Sequence, residues 1–361
     1  MTHTTKSIVV ILAGGKGERF WPKSRISRPK QTLAIGTQQP MLLEAVQRAK
    51  ELVPEEHIYI STGSDMETPF RKLLKNNHVN YLLEPLPRDS AAAIGYACSI
   101  LAEKYGRQGV VSFIGSDYLI QDEKSFGNHL RAAMKLATEN DVIVTIGIQP
   151  TRPATSYGYL HMGKRLPDPI PTFEAYSVRA FKEKPNLEKA EEYFELREYL
   201  WNSGMFVCKL GVMLDEIRSH TPELSQALER MSKSEYSKET IAEEFKGLEK
   251  ISIDFSVMEK TSNIVMLRGK FPWDDLGDWE AFSRINTKDS QNNVVSANWV
   301  GVRTHNTTVY SETKKLIGTI GIKDMIIVET EDAILICPKN EAQNVKKLVQ
   351  EIAKTEYREF L

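Results

Sequence analysis

A glycine-rich and strongly basic segment lies near the start of the sequence. Residues 13–31 read Ala-Gly-Gly-Lys-Gly-Glu-Arg-Phe-Trp-Pro-Lys-Ser-Arg-Ile-Ser-Arg-Pro-Lys-Gln and directly follow an apolar run. Gly14, Gly15 and Gly17 carry no side chain, so backbone N–H groups can close on an anion there. Within the segment only Glu18 opposes six basic residues, which are Lys16, Arg19, Lys23, Arg25, Arg28 and Lys30. Because the whole chain has a net charge of −1, this local excess of positive charge predicts a triphosphate site.

Two common nucleotide-binding motifs do not fit this spacing. A dinucleotide-binding fingerprint needs a third glycine where the chain has Phe20, which disfavours a nicotinamide-dependent oxidoreductase. A P-loop needs Ser or Thr after its lysine, but Lys16 is followed by Gly17. Glycine-rich loops follow strands in many α/β proteins, and a basic loop can simply be solvated. The glycines alone therefore leave the function open.

The elements around this segment alternate between strands and helices. Ile8–Leu12 is a continuous apolar run ending at the glycines, which is typical of a buried strand. Further strands are predicted at 57–61, 81–83, 110–114 and 142–148, with helices at 42–53, around 70–74, at 91–105 and at 126–137. This alternation predicts an α/β fold with a doubly wound, mixed but mostly parallel sheet. Ligands of such sheets bind at the carboxyl ends of the strands.

The pattern changes near residue 290. Residues 293–336 contain short strands separated by turns and no helical pattern, and residues 343–352 form one closing amphipathic helix. We therefore expect a catalytic domain of residues 1–287 and a small β domain of residues 288–361.

Composition narrows the class of protein. A net charge of −1 gives no overall attraction to nucleic acid or to an anionic membrane. The first apolar run is too short for a signal peptide or a membrane span, so we expect a cytoplasmic protein. Cys98, Cys208 and Cys337 lie far apart, each within apolar residues, which is typical of unpaired thiols in a reducing compartment.

Residues 14–31 resemble the signature of the nucleotidyltransferases that activate sugar 1-phosphates, and the details at 21–25 and 29–31 look like the mannose-1-phosphate guanylyltransferase branch. The resemblance covers essentially the whole chain, with blocks in the family's order. These are 84–85 with 88–91, 116–117, 157–159, 181–185, 201–206, 252–254 with 258–260, 273–279 and 328–333. It implies a Rossmann-like nucleotidyltransferase domain followed by a left-handed β-helix that associates subunits as a homodimer.

The resemblance also implies a reaction and the residues that serve it. The expected substrates are GTP and mannose 1-phosphate, and the expected products are GDP-mannose and pyrophosphate. The residues expected to bind the nucleotide are Leu12, Ala13, Gly14, Gly15, Gly17, Arg19, Glu84 and Ser90. Lys30 is expected near the α-phosphate, and the sugar phosphate is expected at Gly158, Glu183, Lys184 and Asn202. Asp117 and Asp275 are the expected Mg²⁺ ligands.

Several of these residues have plainer interpretations when read without the family. Asp117 follows a strand and could equally cap a helix, and Glu183-Lys184-Pro185 is a surface turn in most proteins. Glu84 could accept from both N1–H and the 2-amino group of guanine, which suit one ionised carboxylate. The equally weighted alternative is that Glu84 pairs with Arg88 and only braces its loop.

The chain departs from the family pattern at Asp89-Ser90, Tyr118 and Asp274. These departures leave open a guanylyltransferase for another sugar 1-phosphate, such as a heptose or fucose phosphate. A catalytically silent subunit that senses GDP-mannose is the alternative from another class. It is disfavoured because Arg19, Lys30, Asp117, Lys184 and Asp275 are all present.

Overall fold

The strand predicted at Ile8–Leu12 forms as Ser7–Leu12 and lies inside a nine-stranded sheet. The structure is a computed structural model that describes residues 6–167 and 172–361. Successive side chains of this strand face opposite sides of the sheet, as strand geometry requires. Val9 and Ile11 belong to one hydrophobic core, whereas Ile8 and Val10 belong to another. A strand buried on both faces explains the continuous apolar run.

The large sheet has the order β3-β2-β1-β4-β9-β6-β10-β8-β7, and β7 also pairs with β9. The neighbours β1–β2, β2–β3, β1–β4 and β6–β10 are parallel, and β8 and β9 run against the others. The expected mixed sheet is therefore confirmed. Its strands are β1 (Ser7–Leu12), β2 (Ile58–Gly63), β3 (Asn80–Glu84), β4 (Val110–Gly115), β6 (Ile143–Ile148), β7 (Tyr159–Arg165), β8 (Ala175–Lys182), β9 (Tyr199–Lys209) and β10 (Ile264–Gly269). Two short strands, β5 (Leu119–Ile120) and β11 (Trp273–Asp274), form a separate pair.

Helices cover both faces of this sheet, which is the doubly wound arrangement. Side chains of α1 and α4 complete the first core, and those of α3, α6, α7 and α8 complete the second. Cys98 and Cys208 lie buried in the second core, and all three cysteines are unpaired, as expected. The helices are α1 (Met41–Lys50), α2 (Glu67–Leu73), α3 (Asp89–Tyr105), α4 (Glu123–Glu139), α5 (Leu187–Leu196), α6 (Leu210–His220), α7 (Pro222–Lys233), α8 (Lys238–Gly247), α9 (Trp279–Ile285) and α10 (Val345–Ile352). None of the helices described is both long and apolar enough to cross a membrane.

The C-terminal strands stack in parallel, which is the arrangement of a β-helix. One face consists of β12 (Val294–Ser296), β14 (Thr308–Ser311) and β16 (Met325–Glu329), and the antiparallel β17 (Ile334–Pro338) extends it. A second face pairs β13 (Asn298–Val302) with β15 (Leu316–Ile320). A single parallel bridge joins His305 to Lys323 between these coils.

A third hydrophobic core joins the C-terminal strands to the basic segment of the sequence. Phe20 and Trp279 pack edge to face with ring centroids 5.3 Å apart. Val328 and Val345 of the C-terminal region belong to the same buried cluster. The C-terminal domain therefore packs directly on the segment that carries the glycines.

Candidate active site

The glycine loop leaves β1 and is anchored to the neighbouring strand β2. The N–H of Ala13 donates to the carbonyl of Ser61 at 2.8 Å, and the Thr62 hydroxyl donates to the carbonyl of Ala13 at 3.0 Å. Gly14 and Gly15 follow on the surface, where an added Cβ would meet no atom within 4 Å. Their backbone is therefore open to a ligand at the carboxyl end of the parallel strands.

Gly17 has a steric reason to be glycine. Its φ is +68°, and an added Cβ would lie 2.5 Å from Cβ of Lys30. The nearly buried Lys30 thus lays its stem along Gly17 and places Nζ 2.5 Å from Asp117 Oδ2 and 3.5 Å from the carbonyl of Leu276. The loop, the end of β4 and the turn after β11 meet at this one ammonium group.

The six basic residues of this segment do not all face one site, because three of them pair with carboxylates from outside the segment. Lys23 lies 3.0 Å from Glu312 and Arg28 lies 3.4 Å from the same carboxylate. Arg25 lies 2.7 Å from Asp332. The sequence could not reveal these partners, because they lie about 300 residues away along the chain.

The remaining cations of the segment are Lys16, Arg19 and Lys30. Lys16 lies 3.9 Å from Asp65, and both side chains are about half exposed. Arg19 is placed by a short 3-10 helix, Glu18–Phe20, and its Nε is buried without a hydrogen-bond partner among the described residues. A buried donor without a partner is costly, and a phosphate oxygen would satisfy it.

Asp117 and Asp275 are brought together by the short strand pair. In this pair Leu119 lies opposite Asp274, so the segments just before and after it approach each other. The Tyr157 hydroxyl donates to Asp275 Oδ1 at 2.9 Å. Burial, together with the charges of Asp274 and Asp117, raises the pKa of Asp275 to about 6, against the opposing effects of Lys30 and of the Tyr157 hydrogen bond. Each of these two carboxylates makes ionisation of the other less favourable, and a cation bound by both would offset that repulsion.

Asp274, a departure from the family pattern, has a partner inside the fold. The guanidinium of Arg284 on α9 reaches both of its carboxylate oxygens at 3.1 Å. Asp274 also accepts from the N–H of Leu276 at 3.2 Å, so it holds the turn that carries Asp275. This departure is therefore a structural ion pair.

A second group of predicted residues gathers where β7, β8 and β9 meet. The N–H of Asn202 donates to the carbonyl of Gly158 at 2.8 Å. A Cβ on Gly158 would collide with the carboxylate of Glu183, so the glycine leaves the space that the Glu183 side chain occupies. Glu183 is nearly buried and lies 2.6 Å from the half-exposed Nζ of Lys184. Gly158, Glu183, Lys184 and Asn202 thus form one cluster.

Asp254 belongs to this cluster, although the sequence did not single it out. Its Oδ1 accepts from Nδ2 of Asn202 at 3.1 Å, while Asn202 Oδ1 accepts from Thr145 at 3.1 Å. Burial, together with the charge of Glu183, raises the pKa of Asp254 to about 7, against the opposing effect of Lys184. The only sequence signal was its place in the family block 252–254, since the carboxylate meets Asn202 through tertiary contact alone.

Glu84 ends β3 and lies nearly buried, with the Ser61 hydroxyl donating to Oε1 at 3.3 Å. Burial, with a smaller effect of the Asp89 charge, raises the pKa of Glu84 to about 7, against the opposing effect of the Ser61 hydrogen bond. Arg88 donates at 2.6 Å to each of two carbonyl oxygens, those of Phe245 and Lys246. The alternative in which Arg88 pairs with Glu84 is therefore not what the structure shows.

The Ser90 hydroxyl accepts from the N–H of Ile253 at 2.9 Å, beside Asp254.

Tyr118 stands between the two groups of residues. Burial raises the pKa of its phenol, and the charges of Asp117, Asp254 and Asp275 raise it further, so the ring faces carboxylates from both groups. One group offers an open glycine loop with Arg19, Lys30 and a carboxylate pair. The other offers one exposed ammonium beside several hydrogen-bonding groups. Together they can hold two phosphorylated ligands side by side.

Two family models match the chain. The one described as "Nucleotidyl transferase" matches residues 8–292, and the one described as "MannoseP isomerase/GMP-like beta-helix domain" matches residues 289–352. A protein of Escherichia coli named mannose-1-phosphate guanylyltransferase is 34% identical over 96% of this chain and 75% of that protein. A Vibrio cholerae protein named putative mannose-1-phosphate guanylyltransferase is also 34% identical, over 98% of this chain and 76% of its own.

Solved structures show the same architecture. A crystal structure from Thermus thermophilus, described as a mannose-1-phosphate geranyltransferase, matches with a TM-score of 0.84 and 30% identity. The match covers 96% of this chain and 99% of that one. A UDP-glucose pyrophosphorylase of Acinetobacter baumanii matches with a TM-score of 0.52 at 17% identity over 78% of this chain and 92% of its own, a likeness of fold alone.

Proposed function

This chain belongs to the nucleotidyl transferase family, and from that premise we propose that it transfers GMP from GTP to mannose 1-phosphate, giving GDP-mannose and pyrophosphate. The observation that carries the proposal is the 34% identity, over nearly the full chain, to relatives named for this activity. The departures at Tyr118 and Asp89 lie beside the site, so the choice of sugar needs its own experiment.

In the proposed reaction an oxygen of the sugar phosphate attacks the α-phosphorus of GTP, and pyrophosphate leaves. Both reactants are anions, so the protein must position them and neutralise charge. We assign the β- and γ-phosphates to the loop of Leu12, Ala13, Gly14, Gly15 and Gly17 and to the guanidinium of Arg19. Lys30 would then reach the charge that develops near the α-phosphate, from its place beside Asp117.

Mannose 1-phosphate is assigned to the cluster around β9. Lys184 would bind its phosphate, since Nζ is half exposed and held at one end by Glu183. Glu183 and Asn202 would bind hydroxyl groups, and Gly158 leaves room for the sugar ring. Asp254 fixes the amide of Asn202, so we add it to the assigned site as a positioning residue.

We propose that Asp117 and Asp275 hold a divalent cation, Mg²⁺. The described residues contain no cluster of three or more His, Cys, Asp or Glu side chains that could hold a metal. Two carboxylates completed by phosphate oxygens are an ordinary Mg²⁺ site, so the residues fit. When bound, the ion would neutralise charge on the triphosphate.

We propose that the protein is a cytoplasmic homodimer. Each subunit would have a catalytic domain of residues 1–287 and a β-helix domain of residues 288–361. Buried unpaired thiols at Cys98 and Cys208 suit a reducing compartment. For the dimer, the support is an apolar face on β13 and β15. This face is formed by residues that are 53–70% exposed, namely Val300, Val302, Leu316 and Ile320. Such a patch is characteristic of a protein interface.

The substrate assignment is tested by measuring pyrophosphate release with GTP and a panel of sugar 1-phosphates. We expect the highest kcat/KM with mannose 1-phosphate. Higher values with a heptose or fucose phosphate would reassign the sugar. No release with any sugar, together with binding of GDP-mannose, would indicate the silent sensing subunit instead.

The metal assignment predicts the behaviour of Asp275→Asn. Loss of one ligand should lower kcat by about 10²-fold or more, since charge neutralisation at the phosphates is the main catalytic contribution. The measurement is initial rate at increasing Mg²⁺ with both substrates saturating. Asp324→Asn, an exposed aspartate in the C-terminal domain, serves as the control and should match the wild type. Near-normal turnover of Asp275→Asn at saturating Mg²⁺ would reject the assignment.

Glu84 is proposed to read guanine, and its pKa of about 7 makes the proposal testable by pH. The carboxyl group is protonated below this pH and becomes a two-oxygen acceptor above it, so preference for GTP over ITP, which lacks the 2-amino group, should rise between pH 6 and 8. We expect a rise of about tenfold, the value of one charge-assisted hydrogen bond. The ratio of the two kcat/KM values removes pH effects common to both nucleotides.

In Glu84→Gln the same ratio should be low and independent of pH, because an amide offers one acceptor. If the variant discriminates GTP from ITP as sharply as the wild type, Glu84 does not read the base. Ser90 and the backbone around Leu12 and Gly14 are then the next candidates.

The proposed dimer predicts that Val302→Glu combined with Ile320→Glu yields a monomer, because these side chains lie opposite each other on paired strands. Mass in solution is measured by light scattering. Ile336→Glu, 63% exposed on β17, is the matched control and should remain dimeric. A wild-type protein that is already monomeric contradicts the proposal.

A further inference from the structure

The C-terminal domain engages a buried charge of the glycine segment. Nζ of Lys23 lies 3.0 Å from Oε1 of Glu312 and also contacts the hydroxyl of Tyr310. The Lys23 side chain is 8% exposed and that of Glu312 is 23% exposed, so the pair is largely removed from water. A buried ammonium that loses its counter-ion retains its desolvation cost. Without Glu312, the Lys23 ammonium must therefore either lose its proton or move toward water, and the inference below concerns the movement.

The backbone of Lys23 belongs to a tight turn that leads back to Gly17, so a displacement of Lys23 that involves its backbone also displaces this turn. The N–H groups of Lys23 and Ser24 both donate to the carbonyl of Phe20, at 2.9 and 3.1 Å. The Ser24 hydroxyl donates to the carbonyl of Gly17 at 2.6 Å. Gly17 in turn packs on Lys30, which holds Asp117. A continuous series of contacts thus runs from Glu312 to the residues assigned to the phosphates.

We propose that Glu312 is a positioning residue for the nucleotide: by holding Lys23 it fixes the turn that presents Gly17 and Arg19 to the triphosphate. The C-terminal domain would then support GTP binding within its own chain without contacting the ligand. This inference rests on the proposed function, in that GTP is taken as the nucleotide. Mannose 1-phosphate is assigned to another cluster, so its binding should not depend on Glu312.

The same interface contains a matched control. Arg25 pairs with Asp332 at 2.7 Å, but the Asp332 side chain is 51% exposed. Water reaches the Asp332 end of this pair, and the Arg25 side chain, 13% exposed, also donates to the carbonyl of Pro22, so we expect the turn to depend less on this carboxylate. Glu312→Gln and Asp332→Asn each remove one negative charge facing the glycine segment. Only the first removes a counter-ion that is itself mostly shielded from water.

The experiment measures the Kd of GTP by calorimetry without the sugar phosphate, and KM for each substrate by pyrophosphate release. In Glu312→Gln we expect Kd and KM for GTP to rise about tenfold, since small displacements of phosphate-binding groups are costly. KM for mannose 1-phosphate should stay within about twofold of the wild type, as should all constants of Asp332→Asn. A Glu312→Gln variant that binds GTP as the wild type does would overturn the proposal.

A double variant separates positioning from loss of folding and from direct contact. Lys23→Met with Glu312→Gln removes both charges and should recover most of the GTP affinity, because no buried ion is left unpaired. It decides the question even if Glu312→Gln alone unfolds. A folded double variant that still binds GTP weakly would mean that Lys23 contacts the nucleotide itself, and the proposal would be wrong. Wild-type protein that binds GTP but releases no pyrophosphate would reject the proposed function and leave this inference standing.

Discussion

The ammonium group of Lys30 joins three segments that are distant in sequence. Its stem packs on Gly17, its charge meets Asp117 after β4, and it donates to the carbonyl of Leu276 beside Asp275. Because Lys30 is nearly buried, this charge depends on the partners that the fold supplies. Gly17, with a φ of +68° and no Cβ, leaves the room in which that stem lies. The glycine loop and the carboxylates of the candidate site are therefore held together through this one side chain.

Negative charge sets the second constraint on the site. Glu84, Asp254 and Asp275 are carboxyl groups whose pKa burial raises to about 7, about 7 and about 6. Carboxyl groups with pKa values raised this far are common in functional sites, because a bound ligand or ion supplies the interactions that stabilise the charged form. In the proposed reaction Glu84 serves the base and Asp275 the metal, while Asp254 serves the sugar through Asn202.

The C-terminal domain is tied to the same segment by charge and by apolar packing. Lys23 and Arg25, which lie close to the glycines, find their counter-ions in Glu312 and Asp332. Tyr310 of this domain packs against the ring of Trp279 at 5.2 Å between centroids, and Trp279 in turn packs against Phe20. A small β domain of this kind has little core of its own and gains stability from the surface that it covers. The glycine loop lies at one edge of that contact.

Local patterns in the sequence determined the elements and the position of the glycine loop. The apolar run at Ile8–Leu12 required a strand buried on both faces, and the alternation of strands and helices required helices on both sides of the sheet. The family blocks indicated most of the residues that gather at the site. Tertiary structure alone decided which charges meet. Lys23 pairs with Glu312, Asp274 pairs with Arg284, and Asp254 reaches Asn202 across separate elements. Periodicity and propensity describe neighbours along the chain, whereas the energy of a charge depends on burial and on partners from anywhere in the fold.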